Sequence, residues 1–194
     1  VDALPGGGAE IFSQKVREVI APKKISGEKW LDIMRTAHRL GLKTNATMLY
    51  NHLEDTNDIV DHLFRIRDLQ DETGGFKTFV PLQFHGKNTQ IAARRTTTGY
   101  DDIRIYAAGR IFLHNVPHIK ALWMYLGDKM AQVLQQFGVD DIGATYINEK
   151  VVHAAGAHTP DYGTEPFLKR LIRETGLIPQ RTTAGYDTKV RQGV

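Results

Sequence analysis

One strand-like run of the sequence ends in two side chains that could bind a polar ligand. The run contains three apolar residues of the same parity, Val80, Leu82 and Phe84. Gln83 and His85 have the opposite parity, and the side chains of a strand alternate between its two faces. If the apolar set packs under helices, Gln83 and His85 point inward at the carboxyl end of the strand, where βα barrels build their sites. We therefore predict that this pair contacts a small-molecule substrate.

A second candidate is the triple glycine of residues 6–8, which is followed by Glu10. Backbone amides of a glycine-rich loop at a strand-to-helix turn can bind phosphate, but the carboxylate just beyond this loop would repel an anion. Hydrogen bonds from sugar hydroxyls to Glu10 are the better functional interpretation. The structural alternative is that the glycines permit a sharp turn and that Glu10 lies in the first turn of a helix.

The histidines do not have the spacing of a metal site. His114 and His118 are four residues apart, but Pro117 prevents the regular helix that would bring them together. His153 and His158 have no recognisable ligand spacing, and no third ligand is evident near either pair. We therefore predict no metal site in this chain.

The composition excludes several classes of chemistry. The chain has 194 residues, no cysteine, 25 Lys and Arg, and 22 Asp and Glu. Without cysteine this chain can form no disulfide, thiolate nucleophile or iron-sulfur ligand set, which favours a reduced, cytoplasmic location. The basic residues are scattered, so a nucleic-acid surface is not expected. No stretch approaches the roughly 20 apolar residues of a membrane span, and the amino terminus does not resemble a signal peptide.

The elements that would position these side chains alternate along the whole chain. Short β-like runs are followed by amphipathic helical runs, which is typical of repeated βα units. Strands are predicted at 45–50, 76–85, 118–123 and 142–147. Helices are predicted from Ser26 to Gly41, from Asp55 or Asn57 to Gly74, and at 101–113, 128–137 and 167–175.

The number of units limits the architecture. A complete barrel of eight units takes about 250 residues, whereas this chain holds only four to five units in a single domain, 1–194. The fold class is therefore α/β, as either an open sheet or the carboxyl-terminal half of a (βα) barrel. Residues 1–8 are predicted to form a strand and a glycine loop without an initiator Met, so we expect the numbering to begin inside a longer polypeptide.

Four stretches of the chain resemble one enzyme family, and together they are highly specific for it. They are LPGGGAEIF at 4–12, AHRLGLKTNATMLY at 37–50, LQDETGGF at 69–76 and NVPHIKALW at 115–123. The family is that of the radical S-adenosylmethionine enzymes of the futalosine route to menaquinone. The likeness covers nearly the whole chain and corresponds to the carboxyl-terminal half of the family's TIM-like barrel.

Further residues indicate which enzymes of this family the chain resembles more. Phe84-His85, Asn88-Thr89 and the run 153–157 look more similar to aminofutalosine synthase than to cyclic dehypoxanthine futalosine synthase. The deazaflavin-forming synthase is a more distant relative.

The resemblance implies a concrete reaction. In the family, a 4Fe-4S cluster held by three cysteines cleaves S-adenosylmethionine reductively. The 5′-deoxyadenosyl radical adds to the enol-ether double bond of 3-[(1-carboxyvinyl)oxy]benzoate, and rearrangement with loss of carbon dioxide gives aminofutalosine. The cysteines belong to the front half of the barrel. The resemblance thus implies a missing amino-terminal half as the partner of this chain, and a chain that is inactive by itself.

The resemblance also implies roles for individual residues. Thr47, Leu49 and Glu54 occupy the family's strand motif that lies against the adenine of S-adenosylmethionine, and Glu10 matches a carboxylate that binds the ribose. Asn51 stands where the motif has glycine, and asparagine is one of the few other residues that tolerate the left-handed backbone conformation. The structural alternatives are a core position for Leu49 and a helix cap for Glu54.

The aromatic substrate carries two carboxylates, which call for charge-assisted hydrogen-bond donors. His85, His118 and Lys120 are predicted to supply them, with Gln83 and Asn45 as further contacts. His118 and Lys120 share the parity opposite to the apolar residues of their strand, so they should face away from the helices. The structural alternatives are a hydrogen-bonded histidine and a solvated lysine.

Two other functions remain open. The chain could be a non-catalytic half-barrel that binds a ligand or a protein and forms a homodimer that covers its open sheet edges. It could also be a βα-barrel enzyme without a cluster, which would bind a sugar phosphate instead of S-adenosylmethionine.

Overall fold

The computed structural model describes residues 3–94, 96–145, 150–158 and 163–188. Within these residues the strands are β1 (Ala3–Leu4), β2 (Lys43–Tyr50), β3 (Phe76–Gln83) and β4 (His118–Ile119). The helices are α1 (Gln14–Ile20), α2 (Gly27–Arg39), α3 (Thr56–Thr73), α4 (Gly99–Phe112), α5 (Trp123–Leu126), α6 (Asp128–Leu134), α7 (Val151–Ala154) and α8 (Glu165–Arg173), with a 3₁₀ turn at Gln135–Phe137. None of these described helices combines the length and the apolar character that crossing a membrane requires.

The strands form one parallel sheet in the order β1-β2-β3-β4, which is also their order in the chain. Because parallel crossovers are right-handed, successive units of this order place their helices on the same face. A sheet wound in this way curls toward a barrel. The structure confirms the α/β fold class and is consistent with half of a TIM-like barrel. The face covered by helices is named the outer face below, and the opposite face is the inner face.

The helix ends follow from capping residues that the sequence identifies. At the start of α2 the Ser26 hydroxyl accepts a hydrogen bond from the backbone amide of Lys29, and beyond its end Gly41 adopts a φ of 81°. At the start of α3 the Asp55 carboxylate accepts hydrogen bonds from the first turn, and Gly74 ends that helix in the left-handed conformation. These boundaries agree with the predicted helices because the caps satisfy the free backbone groups at each end.

The residues of β2 alternate between the two faces. The side chains on the outer face are fully buried: Ala46, Met48 and Tyr50. Tyr50 shows which face this is, because its hydroxyl bonds to Asp102 of α4. The intervening residues are only half-buried and lie on the inner face: Asn45, Thr47 and Leu49. The inner face of β2 is thus open to a ligand or to another part of the protein.

The face predicted for the residues of β3 is wrong. Phe79 lies on the outer face against α4, since a Cβ on Gly109 would come within 3.1 Å of its ring. By alternation, Val80 and Leu82 lie on the inner face, and Gln83 lies on the outer face. The prediction failed because a barrel interior is itself packed with branched apolar side chains. Apolar character therefore does not distinguish the two faces of such a strand.

β4 is shorter than predicted. It comprises His118–Ile119, and the chain continues through an isolated bridge between Lys120 and Asp141 before α5 begins. Residues 142–145 form no strand, and residues 146–147 of the predicted strand lie outside the described part of the chain. The wall beyond β4 is therefore built from an irregular segment.

The parity predicted for β4 agrees with the structure. Ile119 is fully buried, and its side chain lies next to Gly109 on the outer face. His118 pairs with Thr78 of β3, so His118 and Lys120 are on the inner face. Parity was decisive here because apolar and charged residues alternate strictly in this stretch.

Candidate functional site

The inner face of β2 carries the first group of predicted site residues. The Thr47 hydroxyl donates to the Gly6 carbonyl at 2.6 Å, and the Leu49 amide donates to the Glu10 carbonyl at 2.7 Å. Asn45 precedes them on the same face, and its side-chain oxygen is buried without a hydrogen-bond partner among the described residues. A buried acceptor of this kind is costly unless something donates to it. The Asn45 oxygen is therefore available to accept a hydrogen bond on the inner face.

A buried guanidinium holds the loop between β1 and α1. Arg17 donates to the carbonyls of Gly8 and Ile11 at 3.1 Å, and also to those of Ala9 and Ile25. Arg17 is 2% exposed, and this burial lowers the pKa of its guanidinium. Sequence reasoning missed both α1 and Arg17, because a side chain whose partners are backbone carbonyls leaves no pattern of residue types.

Glu10 has an unusual backbone conformation in this loop. Its φ is 47°, a left-handed value that is uncommon outside glycine. Its carboxylate forms an ion pair with Lys24. The alternative that Glu10 lies in the first turn of a helix is wrong, since α1 begins only at Gln14. The loop instead places Glu10 beside Leu49, within the group predicted to bind the cofactor.

Glu54 is used by its own loop. Its carboxylate accepts hydrogen bonds from the backbone amides of Asn51 and His52, the latter at 2.9 Å, and lies 3.0 Å from Nδ1 of His52. Burial acts to raise the pKa of this carboxyl, but these contacts outweigh it and hold the pKa below its ordinary value. The cap of α3 is Asp55 instead. For the predicted contact with a cofactor, Glu54 would have to give up bonds that shape the loop after β2.

Asn51 takes the left-handed conformation that its place in the motif predicts, with a φ of 64°. Its side-chain nitrogen is buried and has no acceptor among the described residues. Asn51 also lines a cleft at the carboxyl ends of β2 and β3. It therefore offers an unused hydrogen-bond donor at that end of the sheet.

The cleft has a volume of about 580 Å³, which is within the range of small-molecule sites. It is lined by Asn51, Gln83, Phe84, His85, Gly86, Lys87, Ile91, Ala92, Ala93, Thr96, Thr97 and Gly156. Phe84 and Ile91 supply apolar surface, and Lys87 supplies a positive charge. This combination suits a flat apolar molecule that carries an acidic group.

His85 lies in the cleft, but its chemistry differs from the prediction. Its Nε2 donates to the Tyr125 carbonyl at 3.0 Å. Burial lowers the pKa of its imidazole below the ordinary value, so the ring is neutral at pH 7. Its Nδ1 is then an acceptor. The predicted charge-assisted donation from His85 to a carboxylate is not what this geometry favours.

Gln83 reaches the end of β3 from the outer face and contacts α4. Its amide nitrogen lies 3.3 Å from Oδ1 of Asp102, which also accepts a hydrogen bond from the Tyr50 hydroxyl at 2.7 Å. Asp102 is buried, and burial raises its pKa to about 6. Sequence reasoning did not single out Asp102. The signal that could have found it is the pair of acidic residues at the start of the helix that follows a site strand.

His118 and Lys120 reach the inner face, but both have acidic partners there. Nδ1 of His118 lies 2.6 Å from Asp140, and Nζ of Lys120 lies 3.0 Å from Asp141. The ring of Tyr186 stacks on His118 with 3.8 Å between centroids, and its hydroxyl donates to Asp141 at 2.7 Å. These five residues are named the β4 cluster. Because His118 and Lys120 already have partners within the cluster, they are less available for the predicted contacts with substrate carboxylates.

The structure thus divides the predicted residues among three places: the inner face of β2, the cleft and the β4 cluster. The first two adjoin each other at the end of β2, where Leu49 of the inner face is followed two residues later by Asn51 of the cleft. Within the described ranges, no group of three or more His, Asp or Glu side chains is arranged to hold a metal ion. The arrangement can bind and orient organic ligands through an apolar surface and a few convergent polar atoms.

Similar proteins of known sequence extend over nearly the whole chain. An aminodeoxyfutalosine synthase of Thermus thermophilus is 49% identical over 190 residues, which are 96% of this chain and 51% of that protein. A 5-amino-6-(D-ribitylamino)uracil–L-tyrosine 4-hydroxyphenyl transferase of Methanosarcina acetivorans is 39% identical, over 96% of this chain and 52% of its own length. A cyclic dehypoxanthine futalosine synthase of Streptomyces coelicolor is 37% identical, over 96% and 46%. The chain spans about half the length of these relatives.

The family described as the CofH/MqnC C-terminal region matches residues 73–192. This segment includes β3, β4 and the helices from α4 to α8, and so it contains the β4 cluster and every lining residue of the cleft except Asn51. Together with the relatives above, the match confirms the resemblance that the sequence motifs indicate. The chain belongs to the CofH/MqnC C-terminal region family.

Proposed function

We propose that the chain forms the carboxyl-terminal half of the barrel of an enzyme of the aminodeoxyfutalosine synthase type, which acts in menaquinone biosynthesis. The observation that carries the proposal is 49% identity to a synthase of that name across 96% of the chain. The identities to the transferase and to the cyclic synthase are 39% and 37% over the same share. The proposed reaction joins the 5′-deoxyadenosyl group of S-adenosylmethionine to 3-[(1-carboxyvinyl)oxy]benzoate.

The inner face of β2 fits the nucleoside part of S-adenosylmethionine. The unpartnered oxygen of Asn45 would accept a hydrogen bond from the adenine amino group, and Leu49 would contact the ring. Glu10, with Lys24 beside it, would accept a hydrogen bond from one ribose hydroxyl. When bound at a reduced cluster, S-adenosylmethionine supplies the 5′-deoxyadenosyl radical. The residues of this chain bind and orient its nucleoside.

Ligation of an iron-sulfur cluster requires thiolates. This chain has no cysteine, so cysteines elsewhere in the intact protein would hold the cluster. The role left to this chain is to complete the barrel wall and to exclude water from the radical.

The cleft fits the aromatic acid. Phe84 and Ile91 would pack against the benzoate ring. The free donor of Asn51 and the ammonium of Lys87 would bind a carboxylate, since charge-assisted hydrogen bonds to carboxylates are the stronger kind. The enol-ether carbon would then face the nucleoside on the inner face of β2.

The test uses the intact protein that contains this chain, with its cluster reconstituted without oxygen. Supplied with S-adenosylmethionine, a reductant and 3-[(1-carboxyvinyl)oxy]benzoate, it should form aminofutalosine, which mass spectrometry detects. Parallel reactions with dehypoxanthine futalosine, and with tyrosine plus 5-amino-6-(D-ribitylamino)uracil, should give no product. Turnover of either alternative in place of the aromatic acid would assign the activity of another relative. No turnover by the cluster-loaded protein would refute the proposal.

A matched pair of variants tests the location of the aromatic acid. Lys87→Met should raise KM for the acid about tenfold, because the carboxylate loses a cationic partner. Lys169→Met, which removes a lysine paired with Glu165 on α8, should leave KM unchanged. Equal KM values in the two variants would place the acid outside the cleft.

A further inference from the structure

Asp102 is a buried carboxylate beside the cleft, and none of the described residues places a cation against it. Asp102 is 4% exposed, and its polar contacts are the Tyr50 hydroxyl and the Gln83 amide. Of the described residues, the ionisable groups that face it are Asp101 on its own helix and the phenols of Tyr50 and Tyr106. Burying an unpaired charge is unfavourable. We therefore expect the Asp102 carboxylate to have a role that a neutral side chain would not fill.

Hydrogen-bond chemistry restricts how Gln83 can lie against this carboxylate. An ionised carboxylate only accepts hydrogen bonds, and a carboxamide has one end that donates and one that accepts. The NH₂ end of Gln83 is therefore held at Asp102, at 3.3 Å from Oδ1 and 3.5 Å from Oδ2. The oxygen end must then point away from Asp102. Gln83 is also a lining residue of the cleft, so the oxygen is available on that side.

We propose that Asp102 is a positioning residue, which holds the Gln83 amide with its oxygen turned to the cleft to accept a hydrogen bond from a hydroxyl or amino group of the ligand. A neutral asparagine at position 102 could donate to that oxygen and turn the amide around. Tyr50 supports the arrangement by binding Oδ1 of Asp102 from β2. The side-chain nitrogen of Asn51, just after β2, is a donor without an acceptor among the described residues. With the Gln83 oxygen at the end of β3, it would give the cleft one hydrogen-bond donor and one acceptor.

The ligand group follows from the proposed function, on which this inference rests. The ionised aromatic acid has no hydrogen-bond donor, so the donor that meets Gln83 belongs to the nucleoside. It would be the ribose hydroxyl that does not bind Glu10, at the boundary between the nucleoside and the cleft. The suitable probe is 5′-deoxyadenosine, which carries two hydroxyls and an amino group.

Calorimetry with this probe on the intact protein tests the inference. Asp102→Asn and Gln83→Leu should each weaken binding about tenfold, the effect of one hydrogen bond. The double variant should bind no more weakly than Gln83→Leu alone, because Asp102 acts only through Gln83. Tyr50→Phe keeps the carboxylate and should stay within about threefold of the wild type. Losses that add in the double variant would overturn the proposal, because a general structural role of Asp102 would persist without Gln83.

A second measurement needs no ligand and is made on the wild-type protein, with Gln83→Leu used only to assign the resonance. In protein labelled with ¹⁵N in glutamine side chains, the Gln83 amide resonance, identified by its absence in Gln83→Leu, should titrate with a midpoint near the Asp102 pKa of about 6. If the resonance does not titrate, Gln83 does not contact the Asp102 carboxylate and the proposal is overturned. If the resonance titrates but 5′-deoxyadenosine does not bind, the contact stands and the proposed function is the part that fails.

Discussion

The β4 cluster differs from a second set of polar side chains, which lie along β2, at the end of β3 and at Asp102 of α4, in how the polar atoms are satisfied. In the β4 cluster the side chains of His118 and Lys120 lie against Asp140 and Asp141, and the ring of Tyr186 stacks on His118. In the second set, named the β2–β3 region, the polar atoms have few partners. Within the part of the chain that the structure describes, Asn45 and Asn51 each keep a buried atom unbonded, and the buried Asp102 has no cationic partner.

This difference distinguishes polar groups that stabilise the fold from polar groups that are available to bind a ligand. Groups that are paired within the chain stabilise the fold and have little left for a ligand. Groups that are buried and unpaired lower stability, and proteins retain such groups where a ligand supplies the missing partner. By this criterion we assign the β4 cluster to the support of the fold and propose the β2–β3 region as the place where the ligand binds. The comparison predicts opposite effects of substitution in the two regions.

The largest effect is expected from Asp141→Ala in the β4 cluster. It removes the partner of the Lys120 ammonium, of the Tyr186 hydroxyl and of the Gly143 amide. We expect a loss of about 2–3 kcal/mol in the free energy of unfolding, measured by urea denaturation. Asp68→Ala, at an exposed position of α3, should change it by less than about 0.5 kcal/mol. If the two variants are equally stable, the β4 cluster is not a structural unit.

Asp102→Asn should do the reverse and stabilise the protein at pH 7 by about 1–2 kcal/mol. The folded-state pKa of Asp102, about 6, lies above its ordinary value of 3.8. The contribution of the protonated Asp102 carboxyl to the free energy of unfolding is therefore fully present below about pH 4. It is lost as the pH rises through about 6, where the buried carboxyl ionises. Asparagine remains neutral throughout, so the gain should vanish at pH 4. Urea denaturation at the two pH values measures this, and a gain that is the same at both would contradict the burial of an ionised Asp102.

Asn51 allows a smaller test of the same region. Its φ of 64° favours glycine, so Asn51→Gly should raise the free energy of unfolding by about 0.5 kcal/mol or leave it unchanged, whereas Asn51→Ala should lower it by about 1 kcal/mol. Thermal unfolding of the two variants provides the measurement. Both variants remove the side-chain donor, so both should weaken binding of the aromatic acid equally. A binding loss that follows stability instead would show that Asn51 has no direct contact.

The smallest change in stability is expected at Asn45. Asn45→Val removes an unpartnered buried oxygen and introduces a side chain that suits a strand, so the free energy of unfolding should change by less than about 0.5 kcal/mol. Affinity for 5′-deoxyadenosine, measured by calorimetry, should nevertheless fall. A strongly destabilised variant would mean that Asn45 belongs with the structural groups, as the β4 cluster does.

Much of the fold could be predicted because local signals determine it. Ser26 and Gly74 mark helix ends through the hydrogen bonds and the backbone angle that those positions require. The left-handed conformation of Asn51 followed from the glycine it replaces. Parity gave the correct face for His118, where apolar and charged residues alternate strictly.

The remainder depends on contacts between distant residues. The face of Gln83 could not be predicted, because both faces of β3 are apolar. The partners of His118 and Lys120 lie about 20 residues further along the chain, or near its end at Tyr186. No sequence pattern near His118 or Lys120 identifies these partners. The contact of Asp102 with Gln83 likewise joins a helix start to a strand end.

Arg17 has a consequence for how ligands bind beside Leu49. Because four backbone carbonyls converge on one guanidinium, the glycine loop has its shape before any nucleoside arrives. A segment that is ordered in advance loses little conformational entropy on association, so more of the contact free energy appears as affinity. The glycine loop is therefore preorganised, and the nucleoside binding proposed for the inner face of β2 would not require this loop to become ordered first.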